Sequence, residues 1–164
     1  MRVRHATPTD AEAIAGLWLE AAEYYVAILP DDFVTPAATG LAESFARLLG
    51  TSSPNALALV ADAGHEIAGF LGARLVEPAD DWQFEMQPEL REIRLEIDFV
   101  ATRQSEQRSG VASQLVEHAE QWGRSHGATV AVCDTHHLSP KSLPFWQGRR
   151  GYQPRSVRLR RRLD

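Results

Sequence analysis

The hexapeptide Gln107-Arg108-Ser109-Gly110-Val111-Ala112 carries the residue types and spacing that bear most directly on chemistry. It lies between a strand-like run, Arg94 to Val100, and an amphipathic segment that begins near Gly110. The first N–H groups of a helix lack internal partners and carry partial positive charge, so a turn of small residues there suits a phosphate or pyrophosphate. Gly110 has no Cβ to block close approach, Ala112 is nearly as small, and Arg108 adds a full charge. A glycine at such a turn also serves packing alone, and the six residues by themselves do not separate the two roles. No Lys-Ser/Thr follows the glycine, and the three-glycine dinucleotide pattern is missing, so neither of those phosphate loops is present.

The run before the loop alternates. Ile93, Leu95, Ile97 and Phe99 fall on one face, and Glu92, Arg94, Glu96 and Asp98 on the other. Val111 to His126 is a helix with Val111, Leu115, His118/Ala119 and Trp122 on one stripe. Towards the N-terminus, Arg2 to His5 reads as a strand. Thr7 or Thr9 caps a helix that carries Ile14, Leu17, Trp18 and Ala21 and runs through Tyr25. A second helix spans Pro36 to Leu49, with Leu41, Phe45 and Leu48 on one face and Gly50 at its end. Ala56–Ala61 and Ile67–Val76 form a hairpin across Asp62-Ala63-Gly64-His65, and Glu77–Pro88 is a polar loop. Thr129–Cys133 is a buried-type strand, Pro140–Arg149 a short helix bent or begun by Pro144, and Arg155–Leu163 an amphipathic closing strand with arginines on its edge. The order is βααββ followed by βαβαβ, a mixed α/β layer fold.

At 164 residues, with no repeat and no composition break, residues 1–164 are expected to form one domain. No apolar run is long enough for a membrane span and no secretory leader is apparent, which fits a cytoplasmic protein. The single cysteine, Cys133, excludes an internal disulfide and reads as a buried structural thiol. His136 and His137 are adjacent, so a strand would turn their rings apart, and no metal site is expected. Residues 1–90 are strongly acidic and residues 148–164 strongly basic. The arginines of that end interleave with Val157, Leu159 and Leu163, so a solvated strand edge is favoured over a nucleic-acid site.

Gln-x-x-Gly-x-Ala after a strand resembles the acetyl-CoA pyrophosphate loop of the GNAT superfamily of N-acetyltransferases, whose pattern is Arg/Gln-x-x-Gly-x-Gly/Ala. Ile97-Asp98-Phe99-Val100 is similar to that family's fourth strand. Ser139-x-x-Ser142-x-x-Phe145-Trp146 resembles the Asn-x-x-Ala-x-x-Phe-Tyr segment opening its last helix, and Gly151-Tyr152 the Gly-Phe that follows. Val3 to Asp10 resembles the opening strand and first cap, so the resemblance covers essentially the whole chain. It implies a central mixed, mostly antiparallel twisted sheet with helices on both faces, and strands 4 and 5 splayed at a CoA cleft. It further implies acetyl-CoA as cosubstrate. Pantetheine would pair with the strand backbone at Phe99 and Val100. The pyrophosphate would lie over Gln107, Arg108, Ser109, Gly110, Val111, Ala112 and Ser113, with Ser139 replacing a pantetheine-contacting asparagine or simply capping its own helix. The departures are a strand-to-loop link, Ala101–Glu106, about two residues longer than usual in the family, and one extra residue between Trp146 and Gly151.

Acetyl transfer needs a neutral amine, a donor to the thioester oxygen, and benefits from an acid for the thiolate. On this resemblance Glu96 and Asp98 are the candidate bases, Glu96 preferred for its longer arm and Glu92 a distant third. Trp146 stands where the family commonly has its acidic tyrosine, and an indole N–H cannot give its proton to a thiolate. His136 and His137 remain possible donors. The acceptor, a small-molecule or peptide amine, is expected to meet Trp18, Tyr24, Tyr25, Asp31, Asp32, Trp82, Phe84 and Glu85, whose aromatic faces and carboxylates suit a cation. The alternatives are an acyl-CoA-binding or regulatory domain with weak catalysis, and a nucleic-acid-binding module using the arginine-rich end. A homodimer is left open.

Overall fold

The structure, a computed structural model, describes residues 1–51, 53–161 and 163. It contains two compact units, Met1–Asp134 and Thr135–Asp164.

The first unit is built on a five-stranded sheet in the order β1-β2-β3-β4-β5, with β1 Arg2–His5, β2 Ala56–Asp62, β3 Ile67–Val76, β4 Arg94–Thr102 and β5 Val130–Cys133. All neighbours are antiparallel except β4 and β5, which run parallel through the connecting helix. The β2–β3 hairpin turns where the sequence places it: Gly64 adopts φ +89° and its N–H donates to Asp62 Oδ1 at 2.7 Å.

Helices cover both faces. On one lie α1 Ala11–Ile28 and α2 Leu41–Gly50, which meet the sheet through Trp18, Phe45, Phe70 and Phe99. The second helix starts five residues later than Pro36, with Gly40 in the left-handed region as its N-cap. On the other face lies α3 Val111–Ser125, buried through Val111, Leu115, Val116, Ala119 and Gly123. Trp122 is only half-buried and His118 is exposed, so the inward stripe runs through Gly123 instead, directly against Leu95. Contact there is close: a Cβ on Gly69 of β3 would sit 2.8 Å from Val111 Cγ1 and 3.0 Å from the Ala101 carbonyl oxygen.

The N-terminal segment is clamped by charge. Arg4 on β1 bonds Asp10 through both terminal nitrogens at 2.8 Å and Asp62 through Nε at 2.9 Å. Asp10 closes a 3-10 turn, Pro8–Asp10, and accepts the Thr7 N–H at 2.8 Å, the capping-box contact that launches α1.

The second unit holds one helical turn, Ser142–Pro144, that runs on as a π-helix over Phe145–Arg149. The Arg150 N–H reaches back five residues to the Phe145 carbonyl at 3.1 Å. That wider turn absorbs the extra residue between Trp146 and Gly151 while leaving Trp146 packed on Tyr152, ring centroids 4.9 Å apart. The closing strand expected over Arg155–Leu163 is not formed by the described residues 155–161 and 163, and Arg162 lies outside them. Val157, Leu159 and Leu163 are 84–89% exposed, so alternation of residue type had no buried face to act on.

Candidate active site

Between Ile97 and Phe99 the register of β4 against β3 shifts: Ala73 faces Ile97, but Gly72 faces Phe99, leaving Asp98 as the extra residue of a β-bulge. Leu95 and Ile97 point towards α3, whereas Phe99 lands on the opposite face, 4.4 Å from the Trp18 ring. The uniform alternation expected from Ile93 to Phe99 is therefore broken at Asp98. The same place ends the pairing with β5. The last β4–β5 partners are Ile97 and Cys133, while β4 continues to Thr102. From Asp98 onward β4 has no β5 partner among the described residues. Val100, opposite Leu71, is half-buried on the α3 side.

The link that follows is tied down. A 3-10 turn, Gln104–Glu106, takes up its additional length, and Arg103 reaches Glu20 of α1 at 2.7 Å and the Ile67 carbonyl at 3.0 Å. Arg108 is the one non-glycine residue with a left-handed backbone among those described, φ +69°, and Gly110 follows at φ +89°. Left-handed residues at a turn can aim backbone N–H groups at an anion; here the Ser109 N–H is taken by the Glu106 carbonyl at 3.3 Å, which leaves the amides that follow Gly110. Gly110 is the N-cap of α3 and offers no side-chain cap to the N–H groups of Val111, Ala112 and Ser113. A Cβ on Gly110 would meet nothing within 4 Å, so the space before the helix is open. The side chains divide the work: Val111 is buried, Ser109 donates its hydroxyl to the Glu106 carbonyl at 2.5 Å to brace the turn, and Gln107 and Arg108 are exposed. The cradle is thus made of backbone, with Arg108 supplying charge.

Glu96 and Asp98 both lie on the α1–α2 face, and Arg74 of β3 joins them, one terminal nitrogen to each. Burial pulls the Arg74 pKa down, but the charges of Asp98 and Glu96 more than offset this, so the guanidinium stays cationic. Glu96 also has Arg94 at 3.7 Å on its other oxygen. Arg74 drew no notice in the sequence; its signal was a lone arginine in an otherwise apolar strand, opposite two acids.

Arg74 and Asp98 line a cavity of 780 Å³ beneath α2, and Glu96 does not. Trp18, Phe45, Phe70 and Phe99 form aromatic walls on the α1–α2 face, and Trp122 of α3 also lines the cavity. Of the eight residues expected around an acceptor, Trp18 alone reaches it. Tyr25 stacks instead on Phe33 and touches Tyr24, and Trp82 and Phe84 are exposed on a 3-10 turn.

Cys133, at the point where the strands part, has its thiol pKa pushed up to about 12 by burial and by the neighbouring charge of Asp134. In the second unit, Ser139 is buried and its hydroxyl is engaged at home: it donates to Ser142 Oγ at 3.0 Å and accepts the Ser142 N–H at 3.2 Å. These bonds tie Ser139 to the start of the helical turn, whose N-cap is Lys141. Trp146 is buried between Phe145 and Tyr152. His136 and His137 stack at 5.1 Å, because β5 has ended at Cys133 and no strand turns them apart. Among the described residues no three His, Cys, Asp or Glu side chains are grouped to hold a metal ion, and no helix is long and apolar enough to cross a membrane.

Residues 18–152 match the model of the acetyltransferase (GNAT) family. The chain belongs to that family. No relative is found among curated proteins. The GNAT fold recurs in a single-site mutant of the BH1408 protein from Bacillus halodurans, 18% identical with 99% of each chain covered and a TM-score of 0.82. It recurs in the aminoglycoside 6'-N-acetyltransferase AAC(6')-IG from Acinetobacter haemolyticus, 19% identical over 100% of both chains, TM-score 0.64. It is seen again in the aminoglycoside N-acetyltransferase AAC(6')-Iy in complex with CoA, 18% identical, covering 99% of this chain and 100% of that one, TM-score 0.66. At such identities the likeness is one of fold.

Proposed function

We propose that this GNAT protein transfers the acetyl group of acetyl-CoA to a primary amine, which attacks the thioester directly. The observation that carries the reading is the backbone of Arg108 and Gly110. Two left-handed residues aim the uncapped amides of α3 at open space, beside a strand edge that β5 has released. Uncapped amides, no intruding Cβ and one arginine fit a pyrophosphate, and the free β4 edge fits an amide-bearing arm.

When bound, acetyl-CoA supplies an activated acyl carbon and a thiolate leaving group. The rest falls to this chain. Val111, Ala112 and Ser113 hold phosphate oxygens through their N–H groups, with Arg108 beside them. Asp98, at the bulge and on the cavity wall, is placed to take a proton from an amine, directly or through water. Glu96 lies one pleat away, turned to Arg74 and Arg94. The order of preference read from side-chain length is therefore reversed, with Asp98 first. Cys133 stays a protonated thiol at neutral pH and is no nucleophile, which favours direct attack over an acyl-enzyme.

The test is titration calorimetry with CoA, followed by thiol release from acetyl-CoA in the presence of amines. Saturable CoA binding and amine-dependent thiol release are expected; a folded protein that binds no CoA overturns the reading. A second reading, acyl-CoA binding without efficient turnover, draws on Trp146, which is buried and offers no acidic proton. CoA binding with no turnover of any amine would establish it.

A further inference from the structure

We infer that the cavity beneath α2 selects an amine carried on one apolar body, aromatic or branched aliphatic, and discriminates against polycationic acceptors such as aminoglycosides. This rests on the acetyl-transfer reading and names the substrate class of that site.

The hollow has a specific cause. In the β2–β3 register Ala56 faces Arg74, Ala58 faces Gly72, and Val60 faces Phe70. These pairs share the sheet face beneath α2, so three successive floor positions, Ala56, Ala58 and Gly72, carry a methyl or nothing. A Cβ on Gly72 would touch only the Phe70 ring, at 3.8 Å or more. Above this floor stand Phe45 and Leu48 of α2, and at its inner end Trp18 lies tilted against Phe99, ring centroids 4.4 Å apart. Leu48 is 65% exposed although it lines the cavity, an apolar residue left uncovered where a ligand would cover it. The volume, 780 Å³, is that of a site for a drug-sized molecule.

Of the lining residues Asp98 and Arg74 carry fixed charges, both at the bulge end, and they balance; the other titratable lining group is His5 of β1. Asp98 and Glu96 meet Arg74, and Glu96 meets Arg94 as well. Two carboxylates against two guanidinium groups leave no net negative field to hold several ammonium groups. The acids of the sequence expected to attract a cation, Asp31, Asp32 and Glu85, do not line the cavity. A polycation would set its further charges against Trp18, Phe45 and Phe70, where desolvation is uncompensated. A monoamine places its nitrogen at Asp98 and its body on the aromatic walls.

The experiment compares 2-phenylethylamine, kanamycin and spermidine at saturating acetyl-CoA. The arylalkylamine is expected to give kcat/KM at least about tenfold above the two polycations. Ala58→Leu fills the floor and should raise its KM by about tenfold or more while CoA affinity is unchanged. Ala56→Val replaces it if that variant does not fold. Kanamycin or spermidine matching the arylalkylamine overturns the inference, as does an unchanged KM in a folded floor variant. Preference for hexanoyl-CoA over acetyl-CoA that Ala58→Leu abolishes would assign the cavity to the acyl chain and overturn it too. Should the protein bind CoA without turning over any amine, calorimetry of the same amines in the presence of CoA decides. Binding of 2-phenylethylamine alone supports the cavity's selectivity although transfer has failed; binding of kanamycin, or of none, sinks it. Loss of CoA binding itself would be a failure of the donor-site reading, visible before any amine is added.

Discussion

Arg74 contacts Asp98 and Glu96 at once, so neither carboxylate acts as an isolated group. What distinguishes them is position: Asp98 is the bulge residue and faces the cavity, whereas Glu96 is regularly paired and flanked by two arginines. Asp98→Asn is expected to lower kcat/KM by roughly 10²–10⁴-fold, with CoA affinity unchanged and residual activity rising with pH as free amine increases. Glu96→Gln should cost less, and a larger loss there in steady-state assays would return the base to Glu96. Arg108 permits a second test at this scale. Its left-handed backbone is strained for any residue with a Cβ, and glycine adopts it freely. Arg108→Gly should therefore keep the fold while weakening CoA by roughly three- to tenfold through loss of the charge. Arg108→Val, β-branched in the same conformation, should lose stability as well. Equal CoA affinity for the parent and the glycine variant in calorimetry would remove Arg108 from the donor site. The small residues of the loop were legible in the sequence because glycine has few alternatives at such a turn. The partnership of Arg74 was not, because it joins residues more than twenty apart through a strand register that a bulge had altered.

Elements place the proposed donor site, and two of them meet through glycines. At Gly69 a methyl group would meet a backbone oxygen, that of Ala101, as well as Val111 and Leu115 in the first turns of α3. At Gly123, near the far end of the helix, the nearest atoms it would meet belong to Leu95, its Cβ at 3.1 Å and Cδ2 at 3.2 Å. Gly69→Ala should cost about 1–3 kcal/mol in denaturant unfolding and also weaken CoA, because relief comes from moving the N-terminus of α3. Gly123→Ala should destabilise by a similar amount yet leave CoA binding intact, since relief against the Leu95 Cβ shifts the C-terminal end of α3 and not its first turn. Identical CoA affinities for both variants would mean that α3 is not held in place by β3. The hydrophobic periods revealed β3 and α3 well, to within a residue or so. The bulge in β4 was invisible to alternation alone, since polar Asp98 fits the pattern as well as a regular strand residue would. The π-turn was legible only as one residue too many before Gly151.

At the scale of the whole chain, the order of elements was readable up to Cys133, because each buries a patterned face. The reading failed at Arg155–Leu163, where the same pattern meets no partner strand among the described residues. The cavity was unreadable too: it arises from three small residues brought side by side by pairing, and each is unremarkable in its own strand. What ties the N-terminal unit together against acid is the Arg4 clamp, which joins β1, the entry to α1 and the end of β2. Asp10 is 7% exposed and its pKa is held down to about 2, chiefly by the Arg4 hydrogen bond, with burial opposing and Thr7 assisting. A carboxylate whose folded pKa lies below its unfolded value near 4 stabilises the fold above that unfolded value, and the gain disappears as pH falls through the folded one. The window is therefore about pH 4 down to about 2, and the gain at neutral pH is about 2 kcal/mol. Asp10→Asn should lose that amount at pH 7 in urea unfolding followed by far-ultraviolet circular dichroism. The gap between variant and parent should narrow steadily below pH 4 and close below pH 2, because protonation does to the parent what the substitution did to the variant. A gap that stays constant across the window would show that Asp10 contributes through its shape and capping contact alone, with no share from its charge.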